Sequence, residues 1–112
     1  MIFRRAVLGA IAAAVLGVPA QAEDTLEIRL TIRDHRFEPA RIEVPAGKPF
    51  KLIVTNADPT PEEFESVGLR VERVIQGGKA TTFSIRPLRL DRSYKFFGEF
   101  HKETAQGEII PK

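Results

Sequence analysis

The sequence predicts an all-β domain, a Greek-key β-sandwich or barrel of seven to eight short strands. Three observations predict it. Apolar and polar residues alternate with a period of two in several short runs. Turn residues punctuate the chain between those runs. Beyond the N-terminal leader, no segment carries an apolar stripe at helical spacing over a useful length.

At the N-terminus, Arg4 and Arg5 precede an apolar run from Ala6 to Val18 that ends at Ala20-Gln21-Ala22. Those are the three parts of a secretory signal peptide. The run is about 13 residues long, short of the roughly 20 that a spanning helix needs. Residues 1–22 are therefore expected to be a cleaved leader. Residues 23–112 are expected to be a single exported, periplasmic domain with no membrane insertion.

Leu26, Ile28, Leu30 and Ile32 alternate with Glu27, Arg29, Thr31 and Arg33, which is a strand buried on one face. Ile42 and Val44 form a second strand, Pro45-Ala46-Gly47 a turn, and Phe50, Leu52 and Val54 a third strand ending at Asn56. An antiparallel hairpin is expected across that turn. The chain from Asp34 to Pro39 reads as a loop, as does Asp58-Pro59-Thr60-Pro61, whose closely spaced prolines oppose both helix and central strand. Strands follow at Glu62 to Val67, Arg70 to Ile75, Thr81 to Ile85, Ser93 to Phe97 and Gly107 to Ile110. Turns at Gly77-Gly78 and Pro87 to Arg92 and a long loop from Gly98 to Gln106 separate them. Because the Pro45 turn lies at one end of the sandwich, the segments Asp34 to Pro39 and Asn56 to Glu65 are expected to meet at the other.

Composition removes several function classes. The chain has no cysteine, and its one methionine is Met1, inside the leader. No disulfide supports the fold, and sites for Cu(I), thiolate zinc sites and iron–sulfur clusters lack their soft ligands. Without Arg4 and Arg5, the 17 basic residues become 15 and equal the 15 acidic ones. The basic sequence pI is then no argument for a nucleic-acid partner. Ser66, Ser84 and Ser93 have no histidine at a suggestive spacing for hydrolytic chemistry. Gly77-Gly78 lacks the following helix of a phosphate loop.

The runs Phe37-x-Pro39, Val44-Pro45-Ala46-Gly47, Phe50-x-Leu52-x-Val54-x-Asn56 and Tyr94-x-Phe96, leading to His101 and Gly107, resemble the cupredoxin family over nearly the whole mature domain. The resemblance implies that the family's first histidine ligand falls at Glu62, its cysteine at Gly98, its second histidine at His101 and its methionine at Gln106. One ligand of four is present, and a blue-copper centre needs the thiolate. Carboxylate oxygen and imidazole nitrogen instead suit Fe(II), Fe(III), Mn(II), Zn(II) and Cu(II). The candidate metal ligands are Glu62, Glu65, Glu99 and His101, with His35 and Glu63 in reserve; no catalytic residue is expected. Strand alternation points Glu63 and Glu65 one way and Glu62 and Phe64 the other. Glu99 and His101, two residues apart, share a side if that segment is extended. Phe96, Phe97 and Phe100 flank the site as core and lid packing, and Gly98 answers either a positive φ or a close backbone approach.

Pro61-Glu62-Glu63-Phe64-Glu65-Ser66 and Phe97-Gly98-Glu99-Phe100-His101, together with Thr104-Ala105-Gln106-Gly107, look like the cupredoxin-like component of bacterial iron-uptake systems, the EfeO/FtrB type. That resemblance implies copper and/or iron as the bound ion. It also implies a periplasmic iron-binding protein or iron permease as partner, and a role in iron oxidation or hand-over. The alternative is a metal-free sandwich that docks the same partners. A stand-alone oxidase has the least support, because one small domain with so few donors offers no obvious dioxygen site.

Overall fold

In the computed structural model, which describes residues 25–112, each alternating run becomes a strand with its apolar half turned to one interior. The expected leader at residues 1–22 lies outside the described residues. The strands are β1 (Leu26–Arg33), β2 (Arg36–Glu38), β3 (Arg41–Val44), β4 (Phe50–Asn56), β5 (Glu62–Ser66), β6 (Val71–Ile75), β7 (Ala80–Ile85), β8 (Tyr94–Gly98) and β9 (Gln106–Pro111). A single 3₁₀ turn, Glu99–His101, follows β8. Two mixed sheets face each other, one ordered β2-β1-β4-β7 and the other β3-β9-β8-β5-β6. The expected sandwich is present. Among the described residues no helix is long and apolar enough to cross a membrane.

Two local expectations are corrected. Among the described residues there are nine strands, because Arg36–Glu38, read from sequence as loop, pairs antiparallel with β1 and buries Phe37. Three residues are too few for a period to show. The hairpin across Pro45-Ala46-Gly47 does not form. β3 instead pairs in parallel with β9, while β4 pairs in parallel with β1 and antiparallel with β7, so this turn carries the chain from one sheet to the other. Alternation reports which face of a strand is buried, not which strand lies beside it. The placement of loops at the two ends survives, since the chain still reverses there.

The interior below one end of the sandwich is aromatic. Phe37 of β2 and Phe83 of β7 come from one sheet, Phe64 of β5 and Phe96 of β8 from the other. Phe37 meets Phe96 edge to face at 4.9 Å between ring centroids, and Phe64 lies 5.3 Å from Phe96 and 5.2 Å from Phe83. Such pairs contribute about 0.5–1.5 kcal/mol each beyond their buried area. They fix β5 and β8 side by side, with Phe64 paired to Gly98 and Glu65 to Phe97. Glu62, two residues before Phe64, therefore faces the same interior at its upper edge.

Candidate metal site at the tip of the sandwich

The connection between β1 and β2 is two residues long, because Arg33 pairs with Arg36. Asp34 and His35 both have positive φ, 54° and 58°, the signature of a type I′ turn. Asparagine and glycine favour that geometry; a histidine there is strained. The strain is held by Asp58. Its Oδ1 accepts the Asp34 N–H at 2.8 Å and its Oδ2 accepts the His35 N–H at 2.9 Å. Asn56, fully buried, secures Asp58 in turn. Its Oδ1 accepts the Asp58 N–H at 3.0 Å, and its Nδ2 donates to the carbonyls of Thr60 and Ile75. Burial alone would raise the Asp58 carboxyl, but the backbone N–H groups of His35 and Asp34 and the nearby imidazoles of His35 and His101 outweigh it and hold it below its ordinary value.

On β5, Glu62, Phe64 and Ser66 are buried while Glu63 and Glu65 face out. The Glu62 carboxylate is only 1% exposed and every near partner is accounted for. Oε1 accepts the N–H of Glu63 at 3.0 Å and that of Phe100 at 2.9 Å. Oε2 lies 2.6 Å from Nδ1 of His101. A neutral imidazole carries one N–H and one lone pair, so donation from Nδ1 to this oxygen leaves the lone pair on Nε2. Gly98 makes the arrangement fit: a Cβ at that position would stand 2.6 Å from Cδ and 2.9 Å from Oε1 of Glu62. With φ at −101°, Gly98 serves close approach and not a left-handed backbone.

His101 and His35 stack, their ring centroids 3.5 Å apart and their planes within 11°. Thr104 ties their segments together by donating its hydroxyl to the His35 carbonyl at 2.6 Å. The Ala105 N–H closes the loop on the His101 carbonyl at 2.8 Å. The two rings line an open hollow of about 560 Å³ together with Glu99, Glu103 and Thr104.

The six candidate ligands thus fall into two groups. Glu62, His101 and His35 meet at the tip. Glu63, Glu65 and Glu99 converge instead on the outer face of the second sheet, each with a carboxylate oxygen within 4.8 Å of the others. Lys102 reaches Glu99 at 3.7 Å, and Glu72 on β6 stands opposite Glu65. Glu63 is raised to about 7, first by a hydrogen bond with Glu72, then by burial and by the charges of Glu72, Glu65 and Glu99. Glu65 is raised too, by burial and then by Glu72 and Glu99, with Lys102 opposing. The expectation that Glu99 and His101 share a side holds only for an extended segment, and this one is a 3₁₀ turn; both border the hollow, while the Glu99 carboxylate reaches Glu63 and Glu65. With three residues per turn, positions two apart diverge. The aromatic flank also divides: Phe96 is core, Phe97 lies under Lys102 with 5.6 Å from Nζ to the ring centroid, and Phe100 is 48% exposed.

Asp58, Asn56 and Thr104 build the tip and were not among the sequence candidates. A signal existed for the first two. Asn56-x-Asp58 has the spacing of a side chain capping its own backbone two residues on.

Residues 6–110 match the family model described as cupredoxin-like domain. The uncharacterized protein RP394 of Rickettsia prowazekii is 42% identical over 88 residues, covering 79% of this chain and 70% of that protein. The metal-binding domain of the Cu(I)-exporting P-type ATPase CopA of Streptococcus pneumoniae, solved with Cu(I), superposes with a TM-score of 0.67 at 18% identity, over 77% of this chain and 84% of that one. Auracyanin A, a blue copper protein of Chloroflexus aurantiacus, gives a TM-score of 0.67 at 11% identity, over 79% and 99%. A purple cupredoxin of Nitrosopumilus maritimus gives 0.56 at 17%, over 76% and 99%. At such identities the likeness to the solved structures is one of fold; the match of the family model over nearly the whole sequence goes further, and the chain belongs to the cupredoxin-like domain family.

Proposed function

We propose that the tip binds a metal ion that takes nitrogen and oxygen donors, through Nε2 of His101 with His35 as second ligand and Glu62 as the carboxylate behind His101. The observation that carries this reading is the buried Glu62 oxygen 2.6 Å from His101 Nδ1. A carboxylate on the far nitrogen of an imidazole fixes the ring's tautomer and orientation and raises its basicity as a ligand.

A blue-copper ion does not fit these residues. Gly98 offers no thiolate, and Gln106 stands where a thioether would, its Nε2 donating to the Lys102 carbonyl at 2.7 Å. The imidazole and carboxylate donors fit Cu(II), Zn(II), Mn(II) or iron. Glu62 acts better behind His101 than as a direct ligand: two donors of one ion, each about 2 Å from it, stand about 3 Å apart, wider than the observed contact. His35 must turn out of its stack before it contributes. Lone pairs leave parallel rings side by side and do not converge on one ion held at about 2.0–2.1 Å. A bound copper or iron ion would supply one-electron exchange.

The role in iron uptake, with a periplasmic iron-binding protein or permease as partner and the periplasm as location, rests on the sequence resemblance of the Glu62 and His101 strings. Lower uptake of labelled iron in cells lacking the chain is its expected signature. The alternative, a metal-free docking module, is favoured by the exposed Phe100 beside the tip. Metal analysis of protein purified without chelators separates the two.

The experiment for the site is calorimetric titration with Cu(II). One ion per chain is expected, with affinity more than about tenfold weaker in His101→Ala and in Glu62→Ala, and unchanged in Glu65→Ala. Unchanged affinity in both of the first two variants removes the assignment.

A further inference from the structure

We infer that Gly98 strengthens the preference of the tip for ions of higher charge: by having no side chain, it leaves the volume that lets the Glu62 carboxylate reach His101. The inference rests on the metal reading above and names the class as divalent or trivalent ions, against monovalent Cu(I).

The argument is steric first. A Cβ on Gly98 would meet Glu62 Cδ at 2.6 Å, Glu62 Oε1 at 2.9 Å and the Ala105 Cβ at 2.8 Å. The backbone cannot withdraw easily, because the Gly98 N–H donates to the Ala105 carbonyl at 2.9 Å, and Phe64 pairs with Gly98 across the sheet. Ala105 is itself fully buried. Of the groups around that space, the Glu62 carboxylate is the one at the end of rotatable bonds, so it is the one displaced. Displacement breaks the contacts of Oε1 with the Phe100 N–H and of Oε2 with His101 together, since both oxygens belong to one rigid group.

The chemical consequence follows. With glycine at 98, a buried negative charge backs the imidazole, which strengthens it as a donor to an ion of charge two or three. With any side chain at 98, a thiol included, that charge is expelled. A side chain at 98 and a seated carboxylate at 62 are mutually exclusive. Gly98 is a positioning residue that acts through Glu62 and His101.

The test uses Gly98→Ala in metal-free and metal-loaded protein. Long-range ¹H–¹⁵N spectra of metal-free protein at neutral pH are expected to show the His101 proton on Nδ1 in the wild type and a mixture of Nδ1–H and Nε2–H in the variant. Cu(II) affinity is expected to fall about 10–100-fold, while Cu(I) affinity, measured anaerobically against a chromogenic chelator, changes less than about threefold, so the preference for Cu(II) drops. Glu62→Gln should lower Cu(II) affinity similarly, with no further loss when Gly98→Ala is added. Melting temperatures supply a second route: Gly98→Ala should cost much less in a Glu62→Ala background. If Gly98→Ala alone does not fold, the comparison is made in an Ala105→Gly background, which removes the other close contact: recovery of the fold there by Glu62→Ala supports the pair, and failure overturns it. An unchanged His101 spectrum or an additive loss of stability overturns the pair even if the wild type binds metal. A wild type that binds no metal removes the site reading while the spectra and melting data still decide the steric pair.

Discussion

Glu62 and Glu63 are adjacent in sequence, yet one is sealed inside with both oxygens occupied by N–H donors, and the other sits on the outer sheet face among Glu65, Glu72 and Glu99. Glu62 is held by backbone N–H groups and an imidazole; Glu63 is surrounded by charges that oppose a negative one. The difference comes from strand alternation and from a glycine across the sheet. The inner position leads to a histidine with one nitrogen free, which is a ligand. The outer position leads to carboxylates that repel each other, an arrangement common on protein surfaces.

Removing each carboxylate in turn should expose that contrast most strongly. Glu62→Ala leaves the Phe100 and Glu63 N–H groups and His101 Nδ1 without their acceptor, and is expected to cost about 2–4 kcal/mol in urea unfolding. Glu65→Ala, on the outer face, should stay within about 0.5 kcal/mol of the wild type. Equal costs would mean that burial on β5 does not distinguish the two faces.

The next largest effect lies at the turn that presents His35. Asp58→Ala strands the Asp34 and His35 N–H groups and should cost about 1–3 kcal/mol, visible as faster amide exchange at exactly those two positions. His35→Gly moves stability the other way, because glycine takes a positive φ without strain; a gain of up to about 1 kcal/mol should accompany weaker Cu(II) binding. Loss of stability without loss of binding would mean that the strained histidine serves packing alone.

The smallest effect is the pH dependence of the outer group. The folded value of Glu63, about 7, lies above its ordinary 4.5, so the fold favours the protonated form. Its contribution is complete below pH 4.5 and is lost as pH rises through 7. Melting temperature should therefore decline between pH 5 and 8, and Glu63→Gln should flatten the decline. Asp58 has the opposite sign. Its folded value lies below 3.8, so its contribution is present above that pH and is lost as pH falls through the folded value.

Much of this was legible in the sequence. Period-two alternation identified eight of the strands and set Glu62 and Phe64 on the face opposite Glu63 and Glu65, because sheet geometry ties facing to parity. The end-to-end logic of the loops brought Asp34 to Pro39 near Asn56 to Glu65, where Asp58 now clamps His35. Pairing was not legible: nothing local distinguishes β9 from β4 as the neighbour of β3, since both are apolar on the face they bury. The 3₁₀ turn was not legible either, and with it the Glu99 carboxylate meets Glu63 and Glu65. Gly98 left a positive φ and a close approach both open; the fold settles it as close approach, by the Glu62 carboxylate.

The most direct measurement of the tip as a metal site is electron paramagnetic resonance of Cu(II)-loaded protein with nitrogen hyperfine resolution. Imidazole nitrogen coupling is predicted in the wild type, in Glu63→Ala and in Glu65→Ala, with that coupling lost or halved in His101→Ala. An identical spectrum in His101→Ala, or one with oxygen donors alone in the wild type, would contradict the assignment.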